Sequence, residues 1–125
     1  SININAESNV RKVLLDLFNR TQKGEAEKKY SLHIDVQKDK TIKSKDKAGN
    51  PVLYETKLIF NVKITPFTDK NDILHKKTIV ENFYFKNLDS PSETANNEDN
   101  LTEDYTRVAF SKISLTINQF SKNDL

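Results

Sequence analysis

The chain is 125 residues long, 35% hydrophobic and 30% charged, with 2 Gly, 3 Pro and no Cys. That combination fits one folded domain over residues 1–125. It excludes collagen-like, linker-like and disulfide-stapled chains along with thiol nucleophiles and thiolate zinc sites. The net charge of +2 does not point to nucleic acid, and no run reaches the roughly 18 to 20 apolar residues that cross a bilayer.

In chain order, Ser1-Ile2-Asn3-Ile4 reads like the middle of a strand, so a leader ahead of it is compatible with this start. Val10, Val13, Leu14, Leu17 and Phe18 follow at the spacing of one helical face, which predicts a first helix over 6–23. Asn5 or Ser8 can cap its start, and Arg20, Lys23 and Gly24 give its stop. Tyr30, Leu32, Ile34 and Val36 then alternate with polar residues, and a longer alternation covers 54–64 before Pro66. Period two means strands, and Gly49-Asn50-Pro51 marks the turn of a long antiparallel hairpin between them. A last strand is predicted over 74–85, apolar on both faces in its second half. The polar stretch 86–100, with Ser90-Pro91, reads as a loop. Leu101, Tyr105, Val108, Ala109, Ile113, Ile117 and Phe120 share a face, and Asn100 and Glu103 are spaced like a capping box, so a second helix is expected over 101–120. The fold expected is α+β, two helices on one face of a four-stranded, mainly antiparallel sheet in the order β-α-β-β-β-α. Val13, Leu17, Val108, Ile113 and Ile117 are expected against the even-numbered face of the 54–64 strand.

Catalytic chemistry is scarce. His33 and His75 lack a nucleophile or carboxylate partner and read as ordinary surface residues. Asp69-Lys70-Asn71-Asp72 lacks the glycine and distal Glu of a calcium loop and reads as a turn. The two glycines stand too far apart for a phosphate loop, so no metal or cofactor is expected. Asn19-Arg20-Thr21 and Asn100-Leu101-Thr102 match the glycosylation sequon by chance in an Asn-rich chain. Glu98, Asp99, Glu103 and Asp104 are expected at the start of the second helix, where they complement its dipole.

Two features point to binding. Lys38, Lys40, Lys43, Lys45 and Lys47 fall on both faces of the extending hairpin, as in a solvated tip or a cationic arm for a polyanion. Phosphorylated glycolipid suits that arm better than nucleic acid, since no aromatic residues interleave with the lysines as a stacking platform. Two helices cover one side of a sheet, so Ile59, Val80 and Tyr84 form a partner-binding patch on the other side, or are partly closed by the 86–100 loop.

Three stretches carry a likeness to a known family. Asn9-Val10-Arg11-Lys12-Val13-Leu14-Leu15-Asp16-Leu17 leads into Lys29-Tyr30-Ser31-Leu32-His33-Ile34, of the form Tyr-x-Leu-x-Val. The lysine run 40–50 precedes Tyr54 and the long alternating strand, and Ser92-Glu93-Thr94-Ala95-Asn96-Asn97-Glu98 precedes the closing helix. In these stretches the chain resembles the LPS-assembly lipoprotein family, LptE, the outer-membrane partner of the lipopolysaccharide translocon barrel LptD. The resemblance implies a non-enzymatic, periplasm-facing protein held to the outer membrane by a lipidated Cys ahead of residue 1. Such a protein would plug and scaffold an LptD-like barrel and contact lipopolysaccharide, without binding nucleic acid. The alternative is a generic α+β protein-binding module, inhibitor-like or from a secretion apparatus, that pairs through an exposed strand edge. A small hydrolase is a third class.

Overall fold

A computed structural model of the protein describes residues 1–21 and 30–123. The elements are β1 (Ile2–Asn5), α1 (Ser8–Thr21), β2 (Tyr30–Lys45), β3 (Pro51–Pro66), β4 (His75–Lys86) and α2 (Pro91–Asn123). They build the expected α+β arrangement, with sheet order β1-β2-β3-β4. β1 runs parallel to β2 over Leu32–Asp35, with α1 in the crossover between them, and the other two pairings are antiparallel. The expected stop at Lys23 and Gly24 lies outside the described residues. Asn5 is the last residue of β1, three positions ahead of the start of α1, and its side-chain amide donates to Asp35 Oδ1 at 2.8 Å.

Period-two patterning decides which face is covered. Leu58, Phe60, Val62 and Ile64 of β3 are buried with Leu32 and Ile34 of β2 and Ile79, Phe83 and Phe85 of β4. Onto them pack Val10, Leu14 and Phe18 of α1 and Ala109, Phe110, Ile113 and Ile117 of α2. The Phe18 and Phe110 rings meet edge to face at 4.9 Å, which locks the two helices together above the sheet. Val13 and Leu17 are only half-buried, at the rim of the α1 stripe.

Two expectations fail in α2. The helix begins at Pro91, not 101, so 91–100 is not a loop. Ser90 accepts from the Glu93 N–H at 3.2 Å through its hydroxyl, and Pro91 takes the first helical position, where no N–H is needed. Asn100 and Glu103 are therefore interior positions and make no capping box. Only Glu93 stands in the first turn, so Glu98, Asp99, Glu103 and Asp104 lie too far along to meet the helix dipole. The buried stripe is also rotated from the expected one. Val108 is 46% exposed, while Thr102 and Thr106 are fully buried and Thr116 nearly so. Their hydroxyls donate to the carbonyls four residues back, Thr102 to Glu98 at 2.8 Å, Thr106 to Thr102 at 2.7 Å and Thr116 to Lys112 at 3.0 Å. The hydroxyls are thus satisfied inside the helix, and the methyl groups pack as apolar residues do.

Thr56 on β3 lacks that arrangement. It is fully buried and its hydroxyl has no hydrogen-bond partner. A buried unpaired hydroxyl costs about 1–3 kcal/mol. Thr56→Val should therefore raise the free energy of unfolding in urea by about 1 kcal/mol or more. A loss of that size would mean that the hydroxyl is bonded.

Candidate functional site

The lysine segment is strand almost throughout, because β2 runs on to Lys45 and pairs with β3 as far as Pro51. Asp46 closes the turn: its carboxylate accepts from the N–H of Ala48 and of Asn50, each at 2.9 Å. The Asn50 N–H bond, followed by that of Ala48, holds the Asp46 carboxyl below its usual range. Gly49 has φ 88°, a left-handed conformation that disfavours any side chain.

Strand parity divides the five lysines. Lys38 and Lys40 pair with Leu58 and Thr56 and so point to the helix side. There Lys38 Nζ lies 2.8 Å from Glu98 and 3.3 Å from Glu7, just ahead of α1, and Lys40 Nζ lies 3.0 Å from Glu98. Lys40 also sits 4.5 Å from the centre of the Tyr54 ring and 5.3 Å from that of Phe85, a cation over two aromatic faces. Burial alone would push the Glu98 carboxyl up, but the hydrogen bonds from Lys38 and Lys40 outweigh it and leave Glu98 below its ordinary value. Burial works against the Lys38 ammonium in the same way, and Glu98 and Glu7 together leave it above its ordinary value. These two lysines are structural ties between the hairpin, the start of α1 and α2. Lys43 stands where the strand register slips, 3.8 Å from Glu55. Lys45 and Lys47 are exposed, with no ion pair among the described residues. The free cationic tip is therefore Lys45 and Lys47 with Lys43 at its margin, a smaller surface than five lysines.

Ile59, Val80 and Tyr84 all point away from the helices. Ile59 is half-buried and stands opposite Val80, which is 49% exposed, while Tyr84, 51% exposed, stands opposite Glu55. Asn82 separates Val80 from Tyr84 along β4 and Lys57 lies opposite it, so the patch is an apolar pair and a tyrosine set in polar surroundings. The segment expected to close it does not, because 91–100 belongs to α2, which packs on the other face. Sequence reasoning missed the tie between Glu81 and Lys112. Glu81 points to the helix side and is 6% exposed, and its Oε1 lies 2.6 Å from Lys112 Nζ on α2. An acid in phase with Ile79, Phe83 and Phe85 is the signal that a cation had to come from the covering helix.

Among the described residues, no three His, Asp or Glu side chains gather as a metal site, and no helix is long and apolar enough to cross a membrane. The lysine-tipped hairpin is continuous with a sheet face that no element covers among the described residues.

This architecture recurs. The chain shares the fold of several bacterial lipoproteins. It superposes on rare lipoprotein B from Shewanella oneidensis with a TM-score of 0.71 and 9% identity, over 98% of this chain and 96% of that one. It matches lipoprotein B from Nitrosomonas europaea with a TM-score of 0.69 and 18% identity, over 97% of this chain and 82% of that one. For a minor lipoprotein from Acinetobacter baumannii the values are 0.62 and 11%, over 92% and 91%. No protein-family model matches the chain, and no curated protein does. At these identities the likeness establishes the fold and its near end-to-end extent.

Proposed function

We propose that the protein is an LptE-like accessory factor of lipopolysaccharide export, without enzymatic activity. It is lipid-anchored on the periplasmic side of the outer membrane, seated in an LptD-like barrel and in contact with lipopolysaccharide. The observation that carries this reading is a fold shared over nearly the whole chain with proteins described as lipoproteins. The resemblance of the lysine run and closing helix to the LptE family adds the ligand and the partner. Co-purification of the full-length, lipidated protein from detergent-extracted outer membrane tests it, with a large β-barrel in the eluate as the expected result. Val80→Ser combined with Tyr84→Lys should abolish that capture while the isolated domain stays folded. Recovery of a soluble partner and no barrel would favour the second reading, a module that pairs through a strand edge. That reading is supported by β4, whose outer edge has no strand beside it among the described residues.

Lipopolysaccharide contact is assigned to the tip. Replacing Lys43, Lys45 and Lys47 with Glu should weaken binding of lipopolysaccharide, and higher salt should weaken the wild type. The thermal midpoint should hardly move, because exposed charges contribute little to stability. Replacing Lys38 and Lys40 should instead lower the midpoint, since both are tied to Glu98. Equal effects of the two sets on binding and on stability would overturn this division of labour.

A further inference from the structure

At the end of the sheet away from the hairpin tip, one row crosses all four strands on the uncovered face. Asn3 stands opposite His33, His33 opposite Lys63, and Lys63 opposite Lys76. Like charges directly opposite on neighbouring strands repel and weaken a sheet. Here the Lys63–Lys76 pair has no carboxylate within ion-pair distance among the described residues. The next row, Asn5, Asp35, Asn61 and Thr78, holds the nearest acid, and Asp35 already accepts from Asn5. Asn61 in turn accepts from the Thr78 hydroxyl at 2.9 Å. His33 is fixed between Asn3 at 3.5 Å and the Thr65 hydroxyl at 3.2 Å. Burial, then Lys63 and Lys70, push its imidazole below the ordinary value against the pull of Asp35. Asp69 of the β3–β4 turn accepts from the Asn71 N–H of the same turn at 3.1 Å. The face is dished at this point, an open depression of about 450 Å³ whose lining includes His33, Asp35, Asn61, Lys63, Lys76 and Lys77.

We propose that Lys63 and Lys76 form a phosphate-binding site over the His33 floor, separate from the hairpin tip. A phosphate group between the two ammonium groups turns their repulsion into two charge-assisted hydrogen bonds. Its negative charge is offset by groups that otherwise destabilise the sheet. Lys63 lies twelve residues along β3 from Pro51, roughly 40 Å at strand rise, so the two cationic surfaces cannot share one small ligand.

The test uses the full chain, with inorganic phosphate and vesicles as probes. Titrating phosphate at constant ionic strength should shift the His33 ring resonances saturably. It should also raise the thermal midpoint, as any ligand of the folded state does. Lys63→Gln with Lys76→Gln should lose both responses, and Lys45→Gln with Lys47→Gln should keep them. Without phosphate, Lys76→Glu should raise the midpoint, since it replaces repulsion with attraction. Sedimentation with phosphatidylglycerol vesicles but not phosphatidylcholine vesicles, lost in the Lys63/Lys76 variant, would identify a lipid headgroup as the source. A response to inorganic phosphate alone would identify a soluble phosphate ester. If neither probe gives a response that depends on Lys63 and Lys76, or if phosphate stabilises the variant as much as the wild type, the site does not exist.

Discussion

Ile113→Ala should lower the free energy of unfolding by about 2–5 kcal/mol, the range for truncating a fully buried aliphatic side chain. Ile113 is 0% exposed in the cluster that joins both helices to the sheet, so deletion leaves a cavity as well as lost contacts. The same truncation at Leu17, half-buried at the rim of α1, should cost clearly less because solvent already reaches the site. Val108→Ala should lie within about 0.5 kcal/mol of the wild type, as exposed positions do. Urea unfolding of the three variants checks the helix rotation. A Val108 variant as unstable as the Ile113 one would mean that the other flank of α2 faces the sheet.

Glu98→Ala should cost about 1–3 kcal/mol, below the 3–5 typical when one partner of a fully buried ion pair is removed. The loss comes from Lys38 and Lys40, which would keep only Glu7 at 3.3 Å and the two aromatic faces. The pH dependence has a sign at each end. The carboxyl of Glu98 is held below its ordinary 4.5, so its contribution is complete above that value and fades as pH falls through the lower folded value. Lys38 is held above its ordinary 10.5, so its contribution is complete below that value and is lost as pH rises beyond it. The stability gap between wild type and variant should therefore be flat across neutral pH and close towards both extremes. A gap that widens in acid would show that Glu98 is protonated in the fold.

Strands and their inward faces were readable because burial on one side imposes a strict period of two, as Leu58, Phe60, Val62 and Ile64 display. The core stripe of α2 was half legible. Threonine is polar by composition, yet Thr102 and Thr106 satisfy their hydroxyls on their own helix and pack as apolar residues, whereas Val108 is apolar and exposed. The first ten residues of α2 were misread because an Asn-rich stretch has low helix propensity, and its stabilisation comes from Ser90, Pro91 and the Glu98 ion pairs. The lysines could be located but not sorted. Only the pairing register tells which of them meet Glu98 and which meet solvent. The row Asn3, His33, Lys63 and Lys76 is invisible in the sequence, since its members come from four different strands.

The shortness of β1 has a further consequence. It pairs with β2 over Leu32–Asp35, so from Val36 to Lys45 that strand carries an outer edge with no strand beside it among the described residues. Such an edge is a template for association with another chain, and lysines along it are a common deterrent. The lysines at 38, 40, 43 and 45 stand along this stretch, and their charge opposes such pairing. Replacing Lys43 and Lys45, which stand outside the Glu98 ties, with Ala would weaken that guard and invite aggregation that mimics a loss of ligand binding. Charge reversal to Glu keeps the edge repulsive, and it is therefore the substitution that separates ligand recognition from colloidal behaviour.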